Sequence, residues 1–181
     1  MAFSILGRDG RCWELKTGFS QSSAWGVGFK FAIVVSRWNG GFTSRLESGA
    51  RRALGERGVV KDDIATFQVP GAFELPFACV EATKHREFDA VIALGVVIRG
   101  DTPHFEYVAG EAARGVMQAS IDTGVPIMFG VITADNIEQT EARCGDGVDN
   151  KGYEAAVSAI EMANLMREMK TRRDEIIGIP F

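Results

Sequence analysis

Apolar and polar positions follow two periods along this chain, and the period switches repeatedly. Residues 29–35 (FKFAIVV) are a nearly continuous apolar run rich in β-branched side chains, which predicts a strand buried on both faces. Phe42, Leu46, Ala50, Ala53 and Leu54 then recur at helical spacing, and Gly58 supplies a stop. Residues 64–69 read as a second strand, closed by Pro70-Gly71. Residues 73–84 read as a second helix, with Pro76 tolerated in its first turn. A third buried strand covers 90–98 (AVIALGVVI), and an Ala- and Gly-rich helix covers 106–123. A fourth strand spans 126–132 (PIMFGVI), followed by a short helix over 137–143, a glycine-rich flexible loop and a long helix over 153–170.

Strands buried on both faces and alternating with helices predict an α/β three-layer sandwich, a four-stranded parallel sheet flanked by helices. Ligands in such folds sit at the carboxyl ends of the strands, here 36–39, 70–74, 98–104 and 133–136. Residues 1–28 read as a largely irregular arm with one short strand around 12–15. Residues 29–170 form the domain, and 171–181 a tail. The last helix carries two apolar stripes. Tyr153, Val157, Ile160 and Ala163 make one; Ala155, Ala159, Met162, Met166 and Met169 make the other. One stripe covers the sheet; the other is either wider core contact or a subunit interface.

Composition narrows the function. At 181 residues the chain amounts to about one domain. With 46% hydrophobic and 24% charged residues, disorder and low-complexity scaffolds are excluded. The net charge of −4 argues against a general nucleic-acid binder. Cys12, Cys79 and Cys144 are widely spaced and fit neither a disulfide framework nor a zinc site, so a reducing cytoplasm is expected. No apolar run reaches membrane-spanning length, and residues 1–28 lack the apolar core of a secretory signal.

Four constellations lie at the strand ends and beyond. After the first strand, Trp38 offers either a flat face for stacking a heterocycle or a plug for the rim of the core, and Asn39 follows it. In Pro70-Gly71-Ala72-Phe73-Glu74 a turn presents N–H groups, an aromatic ring and a carboxylate; Glu74 can equally serve the helix dipole alone. In Arg99-Gly100-Asp101-Thr102-Pro103-His104, Thr102 suits an N-cap and Pro103 a first helical position. Such a start favours an anion. His104 there is either a proton carrier, since a histidine titrates near neutrality, or a hydrogen bonder at the helix start. Finally, Arg143 and Lys151 bracket the glycine-rich loop, where they either neutralise a phosphate or cap helix ends.

Other chemistries lose ground. His104-x-Glu106 and His85-x-Glu87 mimic half of a zinc-deaminase signature whose cysteine half is missing, and Val148 breaks a calcium-loop pattern. There is no GxxxxGK[ST], no GxGxxG after a strand and no GxSxG. The residues alone point to a small ligand, anionic and partly aromatic.

Five segments, in this order and spacing, resemble the 6,7-dimethyl-8-ribityllumazine synthase family. They are FAIVVSRWN (31–39), VPGAFELP (69–76), IALGVVIRGDTPHFEYV (92–108), FGVITADNIEQTEARCG (129–145) and NKGYEAAVSAIEMANL (150–165). The resemblance implies a flavodoxin-like sandwich without metal or cofactor. It implies condensation of 5-amino-6-(D-ribitylamino)uracil with 3,4-dihydroxy-2-butanone 4-phosphate, the penultimate step of riboflavin biosynthesis. It further implies that Trp38 and Phe129 face the ring, with Asn39 on the same rim, and that Ala72, Phe73 and Glu74 hold the ribityl chain and ring. Val96, Val97 and Ile98 read the uracil through their backbone. Gly100, Asp101, Thr102 and Arg143 meet phosphate, Lys151 is a nearby cation, and His104 moves protons. As partners it implies riboflavin synthase and further copies of the chain in a pentamer, either free or built further into a sixty-subunit shell, with Trp38, Glu74 and His104 of one copy facing Phe129, Arg143 and Lys151 of the next. Trp38 where the family often has Phe, and Ala72 without a hydroxyl, also admit a flavin- or lumazine-binding protein with little catalysis.

Overall fold

A computed structural model describes residues 25–85 and 88–177. The short strand expected around residues 12–15 lies outside the described residues. The elements are β1 (Phe31–Ser36), α1 (Gly40–Glu56), β2 (Ile64–Val69), α2 (Leu75–His85), β3 (Ala90–Ile98), α3 (His104–Thr123), β4 (Ile127–Ala134), α4 (Ile137–Glu141) and α5 (Lys151–Ile177). The strands form one sheet in the order β2-β1-β3-β4, and every pairing is parallel. The expected three-layer α/β sandwich is therefore what the chain adopts.

Burial explains why the strand runs are so apolar. All six residues of β1 are buried, as are the first seven of β3, because both are central strands covered on two faces. On one face Phe31, Ile33, Leu46, Leu54 and Ile160 join the sheet to α1 and α5. On the other, Ala32, Val34, Leu75, Cys79 and Val116 join it to α2 and α3. Burial in that second layer pushes the Cys79 thiol up to about 12. The edge strands β2 and β4 are only partly covered, which fits their more mixed sequences.

Several boundaries shift from the pattern for local reasons. Gly28, at φ 80°, turns the chain ahead of β1, so Phe29 is buried without being part of the strand. A short 3₁₀ turn over Ala72–Glu74 leads into α2. α3 begins at His104 with Pro103 in the cap position and no side-chain cap, so Thr102 is not the cap that the sequence suggests. Gly124, left-handed at φ 66°, ends α3. The short α4 is capped by Asn136, whose side chain accepts from the Gln139 amide at 2.8 Å. α5 extends past residue 170 to Ile177. The first of its stripes packs in or against the core, whereas the second divides along its length: Ala155 and Ala159 join the core, and Met166 and Met169 are exposed.

Candidate active site

The strand order reverses between β1 and β3, so the loops leaving their carboxyl ends diverge and open a crevice. A cavity of about 230 Å³ lies there. Trp38, Asn39, Ala72, Val96, Val97, Ile98, Gly100, Thr102 and His104 all line it, together with Phe105 and Val108, which the sequence reading did not single out.

Each wall has a local cause. The chain leaving β1 is tied to the chain leaving β2: the Arg37 amide donates to the Val69 carbonyl at 2.8 Å and the Trp38 amide to Pro70 at 3.1 Å. This lays the indole over Gly71. A Cβ added there would sit 2.6 Å from Trp38 Cε3, so only glycine lets the ring rest on the turn. Trp38 is nonetheless 61% exposed, which excludes the core-plug reading. Asn39 is the only described non-glycine residue with positive φ, at 60°. That conformation starts α1 and aims Nδ2 at the Val96 carbonyl, 2.9 Å away. The side chain thereby bridges the two strands whose divergence makes the crevice. Glu74 is engaged in its own turn, accepting from the Gly71 amide at 2.9 Å.

His104 stands exposed in the first turn of α3, and among the described residues its imidazole has no hydrogen-bond partner. Beside it, Arg99 makes a brace that sequence reasoning missed. Its amide donates to Ala134, its Nε to Asp135 at 2.8 Å and its Nη1 to Glu106 at 2.6 Å, and its guanidinium lies 4.3 Å from the centre of the Phe105 ring. These hydrogen bonds raise the Arg99 pKa and hold the Asp135 carboxyl below its usual range. Arg99 thus joins β3, α3 and β4 at the rim and steadies a wall of the cavity. The Arg-Gly pair directly after a buried strand was the available signal.

Three predicted site residues lie elsewhere in the chain. Phe129 and Lys151 line a second hollow of about 200 Å³ with Glu154 and Ser158, and no residue lines both cavities. Arg143 lines neither. Phe73, Glu74 and Asp101 lie near the first cavity without lining it, Phe73 being 55% exposed. Among the described residues, no group of three or more His, Cys, Asp or Glu is placed to hold a metal ion, and no helix is long and apolar enough to cross a membrane.

Arg143 and Lys151 are nevertheless adjacent. The Lys151 amide donates to the Arg143 carbonyl at 2.9 Å and closes the neck of the intervening loop. Asn150, buried, holds that loop from within. Its Nδ2 donates to Gly145 at 2.8 Å and to Arg45 at 3.2 Å, while its Oδ1 accepts from Gly152 and Tyr153 and caps α5. A loop that reads as flexible is pinned at its base. Lys151 Nζ meets Glu154 at 2.6 Å, and Arg143 Nη1 donates to the Gln139 carbonyl.

The sequence profile of 6,7-dimethyl-8-ribityllumazine synthase matches residues 28–167. The chain belongs to that family. Lumazine synthases are transferases of riboflavin biosynthesis, and the match takes in the four strands, the crevice and the loop between Arg143 and Lys151.

Proposed function

We propose that this chain catalyses the condensation of 5-amino-6-(D-ribitylamino)uracil with 3,4-dihydroxy-2-butanone 4-phosphate, releasing 6,7-dimethyl-8-ribityllumazine, phosphate and water. The observation that carries the reading is the switch-point cavity, walled by an indole face, a strand edge and a histidine at a helix start. The pyrimidine stacks on Trp38 and is read by the backbone of Val96–Ile98, while the turn at Ala72–Glu74 receives the ribityl chain. The amine attacks the ketone and water leaves to give the imine, phosphate is expelled by elimination, and the ribitylamino nitrogen then closes the ring on the remaining carbonyl with loss of a second water. His104 moves the protons of these steps, and Arg143, Lys151 and the Gly100–Thr102 turn take the phosphate charge. Holding two substrates together supplies the rest of the acceleration. The free thiols of Cys79 and Cys144 suit work in the reducing cytoplasm.

One chain alone separates the two halves of this machinery, so the complete site forms between copies. Trp38 and His104 come from one subunit, and Phe129, Arg143 and Lys151 from its neighbour. Association is supported by the exposed apolar side chains of the α2–α3 layer, Phe73, Phe77, Tyr107, Met117 and Ile121. Five copies of the 19.6 kDa chain weigh about 98 kDa, and light scattering will give that mass or the sixty-subunit shell built from it.

Incubation with both substrates, followed by lumazine absorbance and fluorescence, tests the activity; no product under any condition would refute it. Complementation tests the shared site. Dissociated and co-assembled His104→Ala and Arg143→Ala oligomers regain activity, because about a quarter of randomly formed interfaces pair an intact His104 with an intact Arg143, given equal assembly. Mixed oligomers no more active than their parents would place both residues in one chain.

The exposed indole on Gly71 also favours a second reading, that the cavity retains lumazine or riboflavin. Added riboflavin then quenches the protein's tryptophan emission in the wild type and much less in Trp38→Phe. An equal quench in the variant contradicts stacking on Trp38.

A further inference from the structure

We propose that Arg52, on α1, is a positioning residue for the phosphate end of the site. This rests on the reading of Arg143 and Lys151 as the phosphate cations.

The loop between those cations contains Gly145 and Gly147, whose backbones cost the most entropy to hold in one shape. Its base is fixed by Asn150 and by the Arg143–Lys151 backbone hydrogen bond. Its tip is fixed from another element. Arg52 Nη1 donates to the Asp146 carbonyl at 2.5 Å, and Nη2 donates to the Gly147 carbonyl at 2.9 Å. One planar guanidinium thus holds two successive carbonyls, a two-point grip that an ammonium group cannot reproduce.

Arg52 is itself oriented. Its guanidinium lies 5.1 Å from the centre of the Tyr153 ring, in the first turn of α5. Tyr153 in turn donates its hydroxyl to Glu56 at 2.7 Å. The grip therefore connects α1, the loop tip and the start of α5, and Lys151 is the first residue of that helix. Arg57 meets the same Tyr153 ring, at 5.2 Å, but bonds Ala53 and the Tyr153 hydroxyl instead of the loop. It provides a control that disturbs the same packing and spares the grip.

The test measures the affinity of the assembled enzyme for inorganic phosphate and, separately, for 5-amino-6-(D-ribitylamino)uracil. Arg52→Ala weakens phosphate binding by roughly three- to thirtyfold, as expected when charge-assisted hydrogen bonds that order a loop are lost, and leaves pyrimidine binding unchanged. Arg52→Lys, which keeps the charge but not the two-point grip, falls between, and decides the matter if Arg52→Ala does not fold. Arg57→Ala binds phosphate as the wild type does. The proposal is overturned if Arg52→Ala retains full phosphate affinity, if Arg57→Ala loses as much, or if Arg52→Lys equals the wild type. Arg143→Ala is measured in parallel. A loss there with Arg52→Ala unaffected removes this proposal alone, whereas no loss in Arg143→Ala removes the phosphate reading and this proposal with it.

Discussion

Replacing His104 with alanine slows turnover by roughly ten- to a thousandfold, the range set by removing one positioned proton carrier. Substrate affinity changes little. The reason lies in where His104 stands. It is exposed at the first residue of α3 and lines the cavity, and none of the described residues holds its imidazole in a structural hydrogen bond. Its loss therefore costs proton transfer without costing the fold. Single-turnover kinetics with both substrates pre-bound isolates the chemical step, and thermal unfolding checks that the fold is intact. A His104→Ala enzyme with wild-type single-turnover rates would remove the histidine from the mechanism. A variant with raised substrate dissociation constants and unchanged chemistry would make it a binding group instead.

Gly152→Ala destabilises the protein by about 3 kcal/mol or more, at or beyond the top of the usual range for overpacking. α1 and α5 cross so closely at this point that a Cβ on residue 152 would lie 2.0 Å from the Leu46 carbonyl oxygen and 2.7 Å from its carbon. Both obstacles are backbone, so no side chain can swing aside and the helices must part. For a chain of this size the melting temperature falls by roughly 6–12 °C. Gly55→Ala on α1 is the control: a Cβ there meets nothing within 4 Å, and the change is neutral or slightly stabilising. A Gly152→Ala protein that melts with the wild type would mean that the two helices are not so tightly apposed.

The pattern reading succeeded where burial on both faces forced the sequence. The apolar runs around β1 and β3 have no alternative once the sheet is covered by α1 and α5 on one side and α2 and α3 on the other. It stopped short at α5, because Thr171, Arg172 and Arg173 are exposed and apolar periodicity registers only the turns that touch a core. The crevice was legible from topology, since strand ends at a reversal of order must diverge. The division of the site residues over two separate hollows was not legible from spacing, which does not reveal which strand end faces which hollow; only the family resemblance implied it. Arg52 was invisible for the same reason: its partners lie 94 and 95 positions away. Asn150 did carry a signal, an asparagine immediately before a helix, but its grip on Arg45 and Gly145 is long-range information.

The buried thiols turn this architecture into a clock for its own opening. Alkylating reagents attack the thiolate, and a thiol that burial pushes up to about 12, as it does Cys79, presents almost none at pH 8, besides being sealed from solvent. Cys144 is also screened from solvent, at a shallower depth, and burial raises its pKa as well, against the opposing pull of Arg45. Neither sulfur reacts until its surroundings part. Because Cys144 directly follows Arg143, its labelling rate reports how often the cation-bearing neck comes apart, while Cys79 reports the release of α2 from the sheet. Among the described residues these two thiols are built-in reporters, one at the Arg143–Lys151 neck and one in the core, that separate local breathing from global unfolding.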